Sequence, residues 1–250
     1  LATGAIQVDW LSNIVTAVAL VAAIYLWAQM YTSKLVTREE KNRLLGFIPM
    51  FVSGVLFFGI FQQQFTVMTI YADVRLDRHM FGWEIPPSLV QSINPIFIVI
   101  FSAIFAAMWT KLGNRQWSTP VKFGVANIVI GISLFFFLPY SGSAANSTPM
   151  YVIILILFLF TMAELLLSPV GNALATKVAP VAFPSRMMAV WMMAVAMGTS
   201  LAGSLASFYN PDDAGAENTF FISLGVVSIV LGAILLVLSR WVVKKFSTFR

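Results

Sequence analysis

The stretch YVIILILFLFTMAELLLSPVGNALATK, residues 151–177, holds one carboxylate, Glu164, and no other charge before its final lysine. Glu164 stands 13 residues after Tyr151 and 13 before Lys177. A helix rises about 1.5 Å per residue, which puts the carboxylate about 20 Å from either end. A bilayer hydrocarbon core is about 30 Å thick. A spanning helix here therefore carries Glu164 near the midplane. An acidic side chain at that depth is costly unless it is neutralised, paired or facing water, and such residues mark substrate or proton pathways. The plainer alternative is a glutamic acid that bonds to a neighbouring helix and serves packing alone. Thr161, Glu164, Ser168 and Asn172 follow one another at spacings that keep them on one helical face. Pro169 breaks the hydrogen-bond ladder just past the glutamate, and Gly171 permits close helix approach. Stripe, carboxylate and kink on one helix point to a gating element that lines a cavity.

The whole chain is 59% hydrophobic and 10% charged, against roughly 25% charged residues in soluble domains. Its mean hydropathy is +0.87. Seven apolar runs are long enough to span: 10–31, 44–72, 87–109, 121–140, 150–176, 187–209 and 219–243. None alternates as a transmembrane strand does, so we expect an all-α integral membrane bundle without a soluble domain. The chain has no cysteine and one histidine, His79. Disulfides, thiolate or histidine metal clusters and cysteine nucleophiles are thereby excluded. With no nucleophile–histidine pair on hand, no enzyme activity and no cofactor are expected.

The net charge of +5 needs no nucleic acid to explain it, because its placement reads as a topology signal. Of the 15 basic residues, all but Arg75 and Arg78 fall in alternate loops and the tail. The opposite loops hold Asp9, Asp73, Asp77, Glu84, Asp212, Asp213 and Glu217. The positive-inside rule puts the basic side in the cytoplasm, the N-terminus of this chain outside and its C-terminus inside. The chain opens at Leu1 without an initiator methionine, and no basic segment precedes the first apolar run. We expect residues 1–250 to be the C-terminal part of a longer chain.

Along the chain, the bland first run reads as a lipid-facing helix. TREE at 37–40 has the pattern of a capping box, with Thr37 as N-cap and Glu40 three residues on. The second run carries Gln62, Gln63 and Gln64, which sweep about 200° of helix surface, so at least one faces the interior. Gln62, Thr66 and Thr69 would share a face, and interhelical bonding and substrate contact both fit them. Residues 73–86 read as a solvated outer loop. In the third run Asn94 precedes Pro95, and a polar residue at a proline break suits either a ligand contact or a structural kink. The fourth run, with Phe135, Phe136 and Phe137, reads as lipid-facing. The sixth has five methionines for adaptable packing, a Trp191 deep enough to wall a pocket, and Gly198, Ser200, Gly203 and Ser204 for close approach. The seventh is uniformly aliphatic and reads as peripheral.

Three of these stretches together resemble one family. AELLLSPVGNALATKVAP at 163–180 is similar to the tenth transmembrane helix of the proton-dependent oligopeptide transporter (POT) family, of the major facilitator superfamily, usually GELxLSPxGL followed by TKxAP. QSINPIFIVIF at 91–101 resembles its eighth helix, and FFGIFQQQ at 57–64 its seventh, usually FWxxxEQQ. Order and spacing match over essentially all of 10–250. The resemblance implies a linker transmembrane helix in 1–36 and, in 37–250, a C-terminal six-helix bundle built as two inverted three-helix repeats.

It further implies a proton-coupled symporter of di- and tripeptides in the cell (inner) membrane. Its partners would be small peptides, protons, the lipid bilayer and an N-terminal six-helix bundle of the same parent chain. Glu164 would then hold the peptide's amino terminus, Asn94 its backbone, and Trp191 a wall of a side-chain pocket. Gln62, Phe58 and Ser168 complete the expected substrate-binding set. Gln62 stands where the family has an acid, Phe58 where it has tryptophan and Ala163 where it has glycine. A neutral Gln62 cannot form the family's salt bridge to the N-terminal bundle. The proton-coupling ExxER motif of the family's first helix is absent from this chain. Two other readings stand beside this one: a superfamily transporter of another small metabolite, and a non-transporting membrane scaffold, which would need no buried acid.

Overall fold

The computed structural model describes residues 8–80 and 82–246. Its helices are α1 (Val8–Thr32), α2 (Arg38–Phe61), α3 (Val67–Val74), α4 (Pro87–Val90), α5 (Ile93–Leu112), α6 (Thr119–Leu134), α7 (Met150–Val178), α8 (Pro184–Ala206) and α9 (Ala214–Phe246). A short hairpin, β1 (His79–Met80) and β2 (Trp83–Glu84), lies in the loop before α4. Among the described residues, seven helical segments are long and apolar enough to cross a membrane. They agree with the seven runs read from the sequence, most with ends extended by a few residues, while the first starts at Ser12 and the sixth ends at Ala206.

The capping box at the start of α2 is formed. Thr37 Oγ1 accepts from the Glu40 amide at 3.3 Å, and Glu40 Oε2 accepts from the Thr37 amide at 2.8 Å. Glu40 Oε1 also accepts from the Val181 amide at 2.8 Å. The same carboxylate thus starts one helix and fastens the loop that follows α7.

The second span is not one helix. A 3-10 turn, Gln62–Phe65, interrupts it before α3. The tighter turn changes the residue spacing there, and Gln63 Nε2 points inward, donating to the carbonyls of Gly59 and of Ala202 on α8, both at 3.2 Å. Gln62, Thr66 and Thr69 consequently form no common stripe. Gln62 reaches Thr199 on α8 at 3.0 Å, Thr66 bonds back to Gln63 at 2.9 Å, and Thr69 accepts from Gln91. The third span is likewise broken at Gln91–Ser92, between α4 and α5. That is one turn before Pro95, where a proline ring clashes with the carbonyl four residues back.

The expectation of a lipid-facing fourth span is corrected: it packs intimately on the seventh, α9, which itself keeps an outward face with Val226, Val230 and Val237 exposed. A β-carbon on Gly124 would lie 2.9 Å from the Gly232 carbonyl oxygen, and one on Gly131 would lie 2.7 Å from that of Gly225. Backbones this close make a small-residue interface of the membrane type. The Phe135–Phe137 triple lies beyond α6, and Phe137 stacks on Phe221 of α9 at 4.4 Å between ring centroids. Asn127 extends the contact with buried bonds, its Nδ2 donating to Ser53 Oγ on α2 at 2.8 Å and its carbonyl accepting from Ser228 Oγ on α9 at 2.8 Å. Aliphatic composition alone cannot separate a lipid neighbour from a helical one, whereas the glycine positions can.

The first helix is bonded to α8 as well as exposed. Ser200 Oγ donates to the Ser12 carbonyl at 2.6 Å, and Arg186 reaches Gln29 at 3.0 Å. Gly203 lies against Ser12, so the small residues of α8 do serve close approach. The opposite face of α1, with Val18, Val21 and Tyr25, remains exposed.

The loop 73–86, expected to be solvated, is not simply so. Arg75 is buried and pairs with Glu217 at the start of α9, Nη2 to Oε2 at 3.0 Å and Nε to Oε1 at 3.1 Å. The Gly142 amide donates to Glu217 Oε2 at 2.9 Å and Tyr209 Oη donates to Oε1 at 2.8 Å. Arg75 also donates to the carbonyls of Ser143 and Pro211. Burial, and then the adjoining Glu217 carboxylate, hold the Tyr209 phenol well above its usual pKa, so it stays a donor. Neighbouring charges in sequence look like a wet loop; folding brings two opposite ones together and buries them.

Candidate functional site

The polar stripe on α7 is real, and its two ends are tied to different helices. At one end Thr161, fully buried, accepts from Asn94 Nδ2 of α5 at 3.0 Å and donates to the Leu157 carbonyl at 2.8 Å. At the other end Asn172 Oδ1 accepts from Trp191 Nε1 of α8 at 2.8 Å. Between these bonds sit Glu164 and Ser168. Glu164 is half-buried, and Asn94 lies within hydrogen-bonding reach of its carboxylate. Glu164 Oε2 and Ser168 Oγ are both buried and have no hydrogen-bond partner. None of the ion pairs among the described residues involves Glu164.

A buried polar atom without a partner costs free energy, and native structures rarely keep one without a use. Here two such oxygens stand one helical turn apart. One belongs to a carboxylate with no cation. The arrangement can accept hydrogen bonds and, with Glu164 ionised, offers one negative charge, so it fits a ligand bearing an ammonium group. It holds no histidine or second carboxylate for metal ligation, and no group of metal-ligating side chains occurs among the described residues.

The structure brings Glu164, Asn94 and Ser168 together. Trp191 and Phe58 stand behind them. Trp191 is only 1% exposed and packs against Phe47, Phe58 and Phe123 with ring centroids 5.9–6.3 Å apart. It therefore meets the stripe through Asn172 and does not itself front an open space. Phe58 is also buried, against Trp191 and Gly198. Gln62 is apart from this group, on Thr199 of α8. The interior glutamines are Gln63 and Gln64, and neither amide atom of the fully buried Gln64 has a partner. Three adjacent glutamines gave no way to rank them, because the helix break that turns two of them inward is a property of the folded bundle.

A profile of the POT family matches residues 4–222. The chain belongs to the POT family. Among related sequences, an uncharacterized transporter, YclF, of Bacillus subtilis is 37% identical over 239 residues, covering 95% of this chain and 48% of its own length. A di-/tripeptide transporter of Lactococcus lactis subsp. cremoris is 35% identical over 246 residues, covering 95% and 48% respectively. Among solved structures, a peptide transporter POT in complex with sulfate superposes with TM-score 0.88 at 32% identity, over 98% of this chain and 49% of that one. A POT family transporter in complex with 5-aminolevulinic acid gives 0.87 at 34% identity, over 96% and 50%. The chain spans about half the length of the curated relatives it matches. Its fold is thus the all-α membrane fold of the major facilitator type, and it is a multi-pass membrane protein. The resemblance first read from three helices holds for a POT family chain across nearly its full length.

Proposed function

We propose that this chain is the C-terminal half of a proton-coupled symporter for di- and tripeptides. Residues 1–36 carry a linker transmembrane helix and 37–250 form the six-helix bundle. Substrate lies near the membrane midplane, between this bundle and an N-terminal one of the same parent protein. Glu164 binds the peptide's amino terminus. Asn94 holds the Glu164 side chain and meets the peptide backbone, and Ser168 accepts from the same ligand. Trp191 positions α7 through Asn172, with Phe58 packed behind it. Gln62 lies at the rim, toward α8.

One observation carries this reading: the unpaired Glu164 carboxylate, with an unpartnered oxygen beside an unpartnered Ser168 hydroxyl. A peptide ammonium supplies the cation and the donors that both oxygens lack. Membership of the POT family and kinship with di-/tripeptide transporters support the substrate class. The basic loops support a location in the cell membrane with the C-terminus cytoplasmic. The test is uptake of a labelled dipeptide by the parent protein in liposomes under an imposed proton gradient. Uptake that rises with the gradient is expected. A parent protein that moves no di- or tripeptide under any gradient overturns the assignment.

A further inference from the structure

A cavity of about 880 Å³ lies between α5 and α7, on a different side of α7 from the Glu164 stripe. Its inner part is apolar, with Phe105, Ala106, Leu165, Val170 and Ala173. Its other end, at the basic loops, has Trp109, Trp117, Lys122 and Lys177. Leu165 adjoins Glu164, and Lys177 stands 12 residues further along α7. That separation is about 18 Å along the helix axis, close to half of a hydrocarbon core about 30 Å thick. The groove therefore runs from midplane to interface, one leaflet deep.

Its charged end is built rather than incidental. Lys122 is only 7% exposed. Its ammonium sits 3.9 Å over the Trp109 ring and donates one hydrogen bond, to Gln116 Oε1 at 2.9 Å. Of its three donors, two remain to offer. Lys177 lies within electrostatic reach of it. No aspartate or glutamate lines the cavity, and neither lysine forms an ion pair among the described residues. Two like charges held together beside a low-dielectric wall repel unless an anion lies between them. Lys111 at the end of α5 and Arg115 in the turn after it add further positive charge.

We propose that this groove binds an anionic phospholipid. The phosphate lies between Lys122 and Lys177, the indoles of Trp109 and Trp117 sit at headgroup level, and one acyl chain follows the apolar part toward Leu165. An apolar slot one leaflet long, ending in two unpaired cations and two indoles, matches an amphiphile in both length and polarity. The proposal goes beyond peptide transport and is tested by binding alone, so its outcome is independent of any uptake result.

The experiment is native mass spectrometry of the parent protein in neutral detergent, with phosphatidylglycerol or phosphatidylcholine added. Phosphatidylglycerol should be retained preferentially. Lys122→Gln and Lys177→Gln should each lower that preference about fivefold, the size of one surface cation's contribution. Lys122→Arg and the remote Lys244→Gln should keep it. Ala106→Phe, which fills the slot but keeps both charges, should expel the lipid. Lys177 is exposed, so its variant carries the test if Lys122→Gln fails to fold. Equal retention of both lipids, or preference unchanged in both lysine variants, overturns the proposal. So does excess inorganic phosphate that binds equally well to wild type and Ala106→Phe and displaces the lipid, because the site then takes free anions.

Discussion

Trp191 and Gly171 meet so closely that a β-carbon on Gly171 would lie 2.1 Å from Trp191 Cζ2. The next residue, Asn172, accepts the indole N–H at 2.8 Å. Together they fix α8 to α7 within one turn of Ser168. Gly171→Ala should therefore displace the indole and break that bond. Overpacking of this kind costs roughly 1–3 kcal/mol. A lower thermal midpoint and weaker dipeptide binding are expected in the parent protein, and an unchanged midpoint would show that the indole has room to move.

Glu164→Gln keeps the side chain's shape and removes its charge. A buried charge-assisted contact is worth roughly 1.5–3 kcal/mol, on the order of 10- to 150-fold in affinity. Binding of a dipeptide and of its N-acetylated form separates the charge effect from packing. Wild-type parent protein should strongly prefer the free amine, and the variant should lose most of that preference. If both proteins bind both peptides alike, Glu164 only packs.

The Arg75–Glu217 pair joins the two groups of three spans, 38–140 and 150–246, linking the end of α3 to the start of α9, with side-chain exposures of 6% and 0%. Removing one partner leaves a buried charge alone, at about 3–5 kcal/mol. Arg75→Met and Glu217→Leu should each sharply lower the denaturation midpoint. The double variant should recover much of the loss, because no lone charge remains. Strictly additive losses in the double variant would count against the pair.

The chain has no cysteine, so a single introduced thiol reports topology cleanly. Ala145 is exposed in the loop between α6 and α7. A cysteine there should react with an impermeant maleimide added outside intact cells. Labelling from the cytoplasmic face alone would reverse the orientation drawn from the basic loops.

Residues 1–250 by themselves should fold yet not transport. The bundle satisfies its own backbone, but under the proposed function it supplies only one wall of a site shared by two halves. Purified 1–250 in liposomes should show no proton-driven dipeptide uptake. Uptake by this piece, with light scattering reporting a monomer, would contradict a shared site.

Much of the candidate site was legible because helical spacing is a strict rule. Thr161, Glu164, Ser168 and Asn172 fall on one face from their numbers alone, and a carboxylate among apolar residues marks itself. Asn94 was legible from its proline. The roles of Trp191 and Gln62 were less so: burial depth and the course of a broken helix depend on neighbours from distant parts of the chain. Arg75 and Glu217, 142 positions apart, were read as loop charges because no local pattern couples them.

The sequence by itself determined the seven spans, the helical class, the position of Glu164 midway along its span and the capping box at Thr37. Hydrophobic length, 3.6-residue periodicity and side-chain capping are local properties, set within a few turns of chain. Only the tertiary structure decided which apolar surfaces meet each other and which remain outward. It set α6 against α9 through glycine pairs, put Gln63 and Gln64 inside and Gln62 on Thr199 of α8, and buried the Arg75–Glu217 ion pair. In a membrane both lipid and helix are apolar, so hydrophobicity does not choose between them. Close backbone approach and the pairing of polar groups do, and those exist only once separate helices have come together.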